Sequence, residues 1–249
     1  MVDSTRPTVS LGRILAPSRT LPTLVWYPNV AGRWPLIVFA HGFKVGPVPY
    51  THLCQTWAAA GYVVAAPEFP LTDAAVAGAA LDEADIDNQP ADVRFVAASL
   101  AAGGPMSNRI DPARVAMAGH SDGAETALAA GVQGGLGIRA IIALSVSPLP
   151  SGATSATPPL LVGQGTADTI NPPDLGQAVY NQASRPRYLL HLIGADHLPP
   201  FTGASPWQAV VDRVTIDFLD RYVAGRAVSA AALVTDGTQA GVASVEASP

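Results

Sequence analysis

The chain is poor in reactive and in positively charged residues. Cys54 is its only cysteine, so no disulfide can close within the chain and no cysteine-based zinc site can form. That fits a reducing compartment and favours the cytoplasm, although a secreted enzyme without disulfides carries the same signature. Lys44 is the only lysine, charged residues make up 13% of the chain and the net charge is −5. With no basic stripe to neutralise phosphates, nucleic acid is not an expected partner. No apolar run approaches the roughly 18 to 20 residues that a membrane-spanning helix requires. The amino terminus, Met1 to Pro7, lacks the basic-then-apolar pattern of a signal peptide. Both absences predict a soluble protein. No repeat recurs at 20 to 50 residues, which excludes a solenoid.

What the chain does have is apolar material: 49% of 249 residues is enough for the core of one sizeable α/β domain. Val9 to Tyr27 alternates and is broken by prolines, which predicts antiparallel strands at a sheet edge. Leu36 to Ala40 is continuously apolar and predicts a central strand covered on both faces. A helix over Pro49 to Ala60 and a strand over Tyr62 to Ala66 follow. Leu71 to Asn88 collects Asp73, Asp82, Glu83, Asp85 and Asp87 without a period or the glycine of a calcium loop, and reads as a solvated connection. Pro90 to Leu100 is an amphipathic helix. Strands at Ala140–Leu144, Leu160–Gly163 and Tyr188–Ile193, the last one expected, alternate with helices at Pro172–Ala183 and Pro206–Val223. Repeated strand-helix units predict a mostly parallel sheet with helices on both faces. One domain over residues 1–225 is expected, followed by a weakly patterned tail at 226–249.

The richest stretch is Val115 to Leu128, a strand, the turn Gly119-His120-Ser121-Asp122-Gly123, and a helix. In that context Gly-x-Ser-x-Gly lifts a serine to the apex of a strained turn, which makes Ser121 the candidate nucleophile. A serine hydroxyl needs a base to take its proton and an acceptor to hold that base in one tautomer. Reactive groups in open α/β sheets gather at the carboxyl ends of strands. That rule selects His197, after the strand Tyr188–Ile193, over His41, His52, His120 and His191. It also selects Asp168, after the strand Leu160–Gly163. Asp196 is too close in sequence to His197 to reach its distal ring nitrogen, and Asp174 reads as a first-turn helix carboxylate. The N–H groups of Phe43 and Asp122 are the expected oxyanion donors. Phe43, Val45, Leu149, Leu198 and Phe201 are the expected apolar pocket. No metal or cofactor is implied.

Five segments carry a resemblance: Ala40-His41-Gly42-Phe43, Ala60-Gly61-Tyr62-Val63-Val64, the turn at Ser121, Gly165-Thr166-Ala167-Asp168-Thr169-Ile170-Asn171-Pro172, and Gly194-Ala195-Asp196-His197. Over residues 20–225 or so the chain resembles the α/β-hydrolases. More narrowly it resembles the group of dienelactone hydrolase-like proteins, platelet-activating-factor acetylhydrolases and cutinase-like polyester esterases. The resemblance implies an α/β-hydrolase fold without a large lid domain, a triad of Ser121, Asp168 and His197, and a wall of the acyl pocket at Phe43. It departs from the polyester esterases at Asp122, where they usually carry methionine, in the absence of their carboxy-terminal disulfide, and in the Ser145–Pro150 loop, which has no tryptophan. A serine carboxylic-ester hydrolase is the expected function, acting on small-molecule or polymeric esters. The alternatives are the same triad used as lactonase, thioesterase, amidase or acyltransferase, and a non-catalytic binding protein on the hydrolase fold.

Overall fold

The continuously apolar runs form the middle of an eight-stranded sheet in the computed structural model, which describes residues 1–103, 106–147 and 157–249. Four short strands, β1 (Val2–Asp3), β2 (Thr8–Ser10), β3 (Arg13–Ala16) and β4 (Arg19–Thr20), pair as β1 with β4 and β2 with β3, outside the main sheet. The main sheet takes β5 (Thr23–Trp26), β6 (Trp34–Ala40), β7 (Val63–Pro67), β8 (Ile110–His120), β9 (Ile138–Leu144), β10 (Leu160–Gly165), β11 (Arg187–Leu192) and β12 (Ala243–Ser248). Their spatial order is β12-β11-β10-β9-β8-β6-β7-β5. From β6 to β11 the strands are parallel, and β5 and β12 close the two edges in antiparallel pairing.

Strand side chains point alternately to the two faces, so a strand apolar at every position must be covered twice. Along β6, Ile37 and Phe39 enter one core cluster and Leu36, Val38 and Ala40 the other. The first cluster is roofed by α1 (Thr51–Ala59); the second by α3 (Gln89–Ala102), which follows the single turn α2 (Ala74–Ala77), and by α4 (Asp122–Val132) and α5 (Pro173–Gln182). Further along the chain α6 (Pro199–Thr202), α7 (Gln208–Leu219) and α8 (Ala230–Asp236) return to the first face. The protein has an α/β-hydrolase fold. Every parallel strand ends on the same side, and the loops collected there carry the site.

Two stretches differ from their sequence reading. The segment after Arg226 forms α8 and then β12, which pairs with β11 from Arg187↔Ser248 to Leu192↔Ala243, so β11 is not the last strand. The acidic connection is also more than a solvated linker. Its 3-10 turn Glu83–Asn88 sends Asp85 onto the fully buried Arg19, whose Nη1 and Nη2 donate to the two carboxylate oxygens at 2.9 and 2.8 Å. Arg19 also grips Asp92 of α3 through Nε and Nη2 at 2.8 and 2.6 Å. A guanidinium can satisfy two carboxylates in this forked way because its five donors lie in one plane.

Candidate active site

Ser121 follows the last residue of β8 and caps α4, with φ +57° and ψ −125°. A non-glycine residue there stores of order 1 to 3 kcal/mol of strain, and the neighbours hold it in place: its N–H donates to Leu144 O at 2.9 Å and its carbonyl accepts from Ala124 N at 2.8 Å. Neither flanking glycine has a positive φ; their job is clearance. A Cβ on Gly119 would stand 1.9 Å from Gly123 O, and one on Gly123 would stand 2.1 Å from Ala40 O. The helix therefore approaches β6 and β8 to a distance that only hydrogen allows.

Asp168 and His197 come from the loops after β10 and β11, and the structure brings them together: His197 Nδ1 lies 2.8 Å from Asp168 Oδ2. The other acceptor positions of Asp168 are also filled. Oδ1 takes the N–H groups of Ile170 and Asn171 at 3.0 and 2.9 Å, and Oδ2 takes Gln164 Nε2 at 3.2 Å. Burial alone would raise the Asp168 pKa, but the bonds from His197 and the Asn171 N–H outweigh it and hold the carboxyl below the ordinary range. An ionised Asp168 fixes the proton of His197 on Nδ1 and leaves Nε2 as an acceptor. His197 and Ser121 line the same cavity of about 530 Å³. Of the rejected alternatives only His120 lines this cavity. Asp196 Oδ1 accepts the backbone N–H of His197, and Asp174 is in the first turn of α5. His52 pairs with Asp212 on the surface.

Gly42, Phe43 and Val45 from the loop after β6, and Leu198 beside His197, also line the cavity. Asp122 does too, at the amino end of α4. Phe201 does not: it is 3% exposed and packs beneath the ring of His120, with centroids 5.2 Å apart, so its apolar surface serves the core. Leu149 lies outside the described residues. Glu83, Ser147, Ile170 and Asn171 complete the lining together with His120. Ile170 and Asn171 share the loop of Asp168 and could have been named from it. Glu83 arrives from a distant segment, and nothing local in the sequence marks it.

Beneath the site, buried groups tie three of its loops together. Gly42 N–H donates to Tyr50 Oη at 3.4 Å, Tyr50 Oη meets His120 Nδ1 at 2.8 Å, and His120 Nε2 meets His197 O at 2.9 Å. His120 is wholly buried, and burial with the neighbouring His197 pushes its pKa down to about 3, so it stays neutral with Nε2 as donor. Asp122 is shifted the other way. Burial first, then repulsion from Glu83 and Glu125, raise its pKa to about 6, while His197 and its own backbone N–H pull against that shift. Its Oδ2 is buried without a hydrogen-bond partner.

A mostly parallel sheet with an acid-base pair and a strained serine at its carboxyl edge defines the class of α/β-hydrolase-like proteins. A profile of the chlorophyllase family matches residues 6–171, and the chain belongs to that family of α/β-hydrolase-type esterases. Among curated proteins, none matches the chain. The matched region includes Ser121 and Asp168 and stops short of His197.

Proposed function

We propose that the protein is a serine carboxylic-ester hydrolase working through an acyl-enzyme, with Ser121, His197 and Asp168 as its triad. The observation that carries this reading is the 2.8 Å contact of His197 Nδ1 with a fully hydrogen-bonded Asp168, in a cavity that His197 shares with the strained Ser121. His197 Nε2 takes the proton of Ser121 as Oγ attacks the acyl carbon. The tetrahedral oxyanion is met by the N–H groups of Phe43 and Asp122, the carbonyl re-forms, and the alcohol leaves with the proton from His197. Water, deprotonated by the same nitrogen, then attacks the acyl carbon and releases the acid and Ser121.

Phe43, Val45, Ile170 and Leu198 offer apolar walls, and a volume of about 530 Å³ lies in the range of small-ligand sites, which favours short and medium acyl chains. The narrower likeness to the acetylhydrolase and cutinase-like group belongs to this proposal and rests on the motifs around Phe43, Ser121, Asp168 and His197. Ser121→Ala should lower p-nitrophenyl butyrate turnover by at least about a thousandfold with the fold intact by circular dichroism. A fluorophosphonate should label Ser121 in the native chain. Turnover that survives the substitution would overturn the assignment. A panel of short, medium and polymeric esters, with chlorophyll added because of the family's name, then ranks substrates by kcat/KM.

A further inference from the structure

One wall of the cavity gathers negative charge without neutralising it. Glu83 and Asp122 line it, and Ser147, which also lines it, donates to Glu125 Oε2 at 3.1 Å. Asp87 acts on Glu125 from the same 3-10 turn that carries Glu83. Among the described residues none of these four carboxylates forms an ion pair with arginine or lysine, although the fold pairs Asp85 and Asp92 thoroughly a few residues away. Lys44, the only lysine, is exposed and lies over the Phe43 ring, 4.9 Å from its centroid, and among the described residues it forms no ion pair. Asp122 is 8% exposed and its Oδ2 has no hydrogen-bond partner. An unmatched buried carboxylate beside like charges costs stability, and such costs persist where function uses them.

A metal ion does not account for the arrangement, because among the described residues no group of three or more histidine, cysteine, aspartate or glutamate side chains is placed to hold one. A larger cation fits it better. Carboxylates lining a cleft with apolar walls focus their field into it, so that organic cations are concentrated there and anions repelled. Asp122 is the immediate neighbour of Ser121, about 3.8 Å away at Cα, so the attracting charge falls within a few atoms of an acyl group on Ser121. Val45, Ile170 and Leu198 supply apolar contact for the hydrocarbon that surrounds a quaternary nitrogen.

We propose that the wall formed by Glu83 and Asp122, backed by Glu125 behind Ser147, is a cation subsite, and that the site selects esters bearing an ammonium group near the scissile carbonyl over neutral ones and excludes anionic ones. This deepens the esterase reading and, as a statement about substrate choice, rests on it. The test compares butyrylcholine with 3,3-dimethylbutyl butyrate, which has the same shape with carbon in place of the charged nitrogen. At pH 8 and low salt, kcat/KM should favour the choline ester by about tenfold. The preference should shrink toward one in Glu83→Gln and in Glu125→Gln, and fall as salt is raised from 10 to 300 mM. Equal kcat/KM for the two esters, or a preference untouched by both substitutions, would overturn the subsite. Binding of choline against 3,3-dimethylbutanol, followed by calorimetry on the same enzyme, reads the subsite without turnover. Tighter choline binding in a protein that hydrolyses neither ester would keep the subsite and reject the esterase; no difference between the two alcohols would reject the subsite alone.

Discussion

At the scale of single residues, Asp122 is where stability and function oppose each other. In the proposed reaction its N–H meets the oxyanion, yet its carboxylate adds negative charge to the same place. With a pKa raised from 3.8 to about 6, the folded protein holds a proton that the unfolded chain releases between those values. Stability is therefore lost as pH rises from about 4 through 6, and the cost stays in full above that. With screening by the open cavity allowed for, the cost is about 1 to 2 kcal/mol. Asp122→Asn removes the titration, so its melting temperature relative to the parent should be higher at pH 8 than at pH 4 by several degrees, at roughly 2 to 4 °C per kcal/mol in a chain of this size. The same difference at both pH values would mean that the carboxylate is not under strain. The proposed triad was nameable from sequence because each member follows a strand, and a strand followed by a turn is a local pattern. Glu83 and Tyr50 reach the site from distant segments, and His120, though inside the turn itself, ties its loops through contacts that span up to 77 residues of sequence, which no local pattern records.

At the scale of elements, the 3-10 turn Glu83–Asn88 has almost no apolar anchor, and Arg19 supplies the attachment that hydrophobic packing would otherwise provide. Asp85 and Asp92 hold this arginine in forked contacts while all three side chains are almost wholly buried. Replacing Arg19 with methionine keeps much of the volume, leaves buried Asp85 with no cation and only the Asn88 amide, and leaves buried Asp92 with Arg6 alone. A loss of roughly 3 to 5 kcal/mol is expected from chemical denaturation. A loss under 1 kcal/mol would mean that the carboxylates find water or protonate at little cost. Because Glu83 sits two residues before Asp85, the variant should also lose part of any preference for cationic esters. Asp85 read as solvated with the rest of its cluster because charge clusters usually are, and its partner, Arg19, lies 66 residues upstream in a segment of short strands. The central strands, by contrast, were legible because an unbroken apolar run has few other places to go. Alternation along β6 splits cleanly between the two clusters.

At the scale of the whole molecule, the sheet has two edges, and the chain closes them with strands from its two ends. β5 covers β7, and β12 covers β11. β12 was hard to read as a strand because its sequence, Ala-Ser-Val-Glu-Ala-Ser, is small and polar and mostly half exposed, as an edge strand bordering solvent can be. Its neighbour has the opposite character: Tyr188, Leu189, Leu190 and Leu192 of β11 are all buried. A chain ending at Asp236 would leave the β11 backbone donors and acceptors open along a strand flanked by that apolar surface. It would also remove Val245, whose Cγ2 lies 2.3 Å from where a Cβ on Gly237 would stand, a measure of how tightly the tail seats on α8. Exposed edges of this kind pair with other chains. The truncated protein should melt at least several degrees lower than the full chain and form aggregates detectable by light scattering, while the full chain under the same conditions does not. A truncated chain that melts normally and stays dispersed would show that β11 tolerates an open edge, and that β12 belongs to the sheet without being needed to protect it.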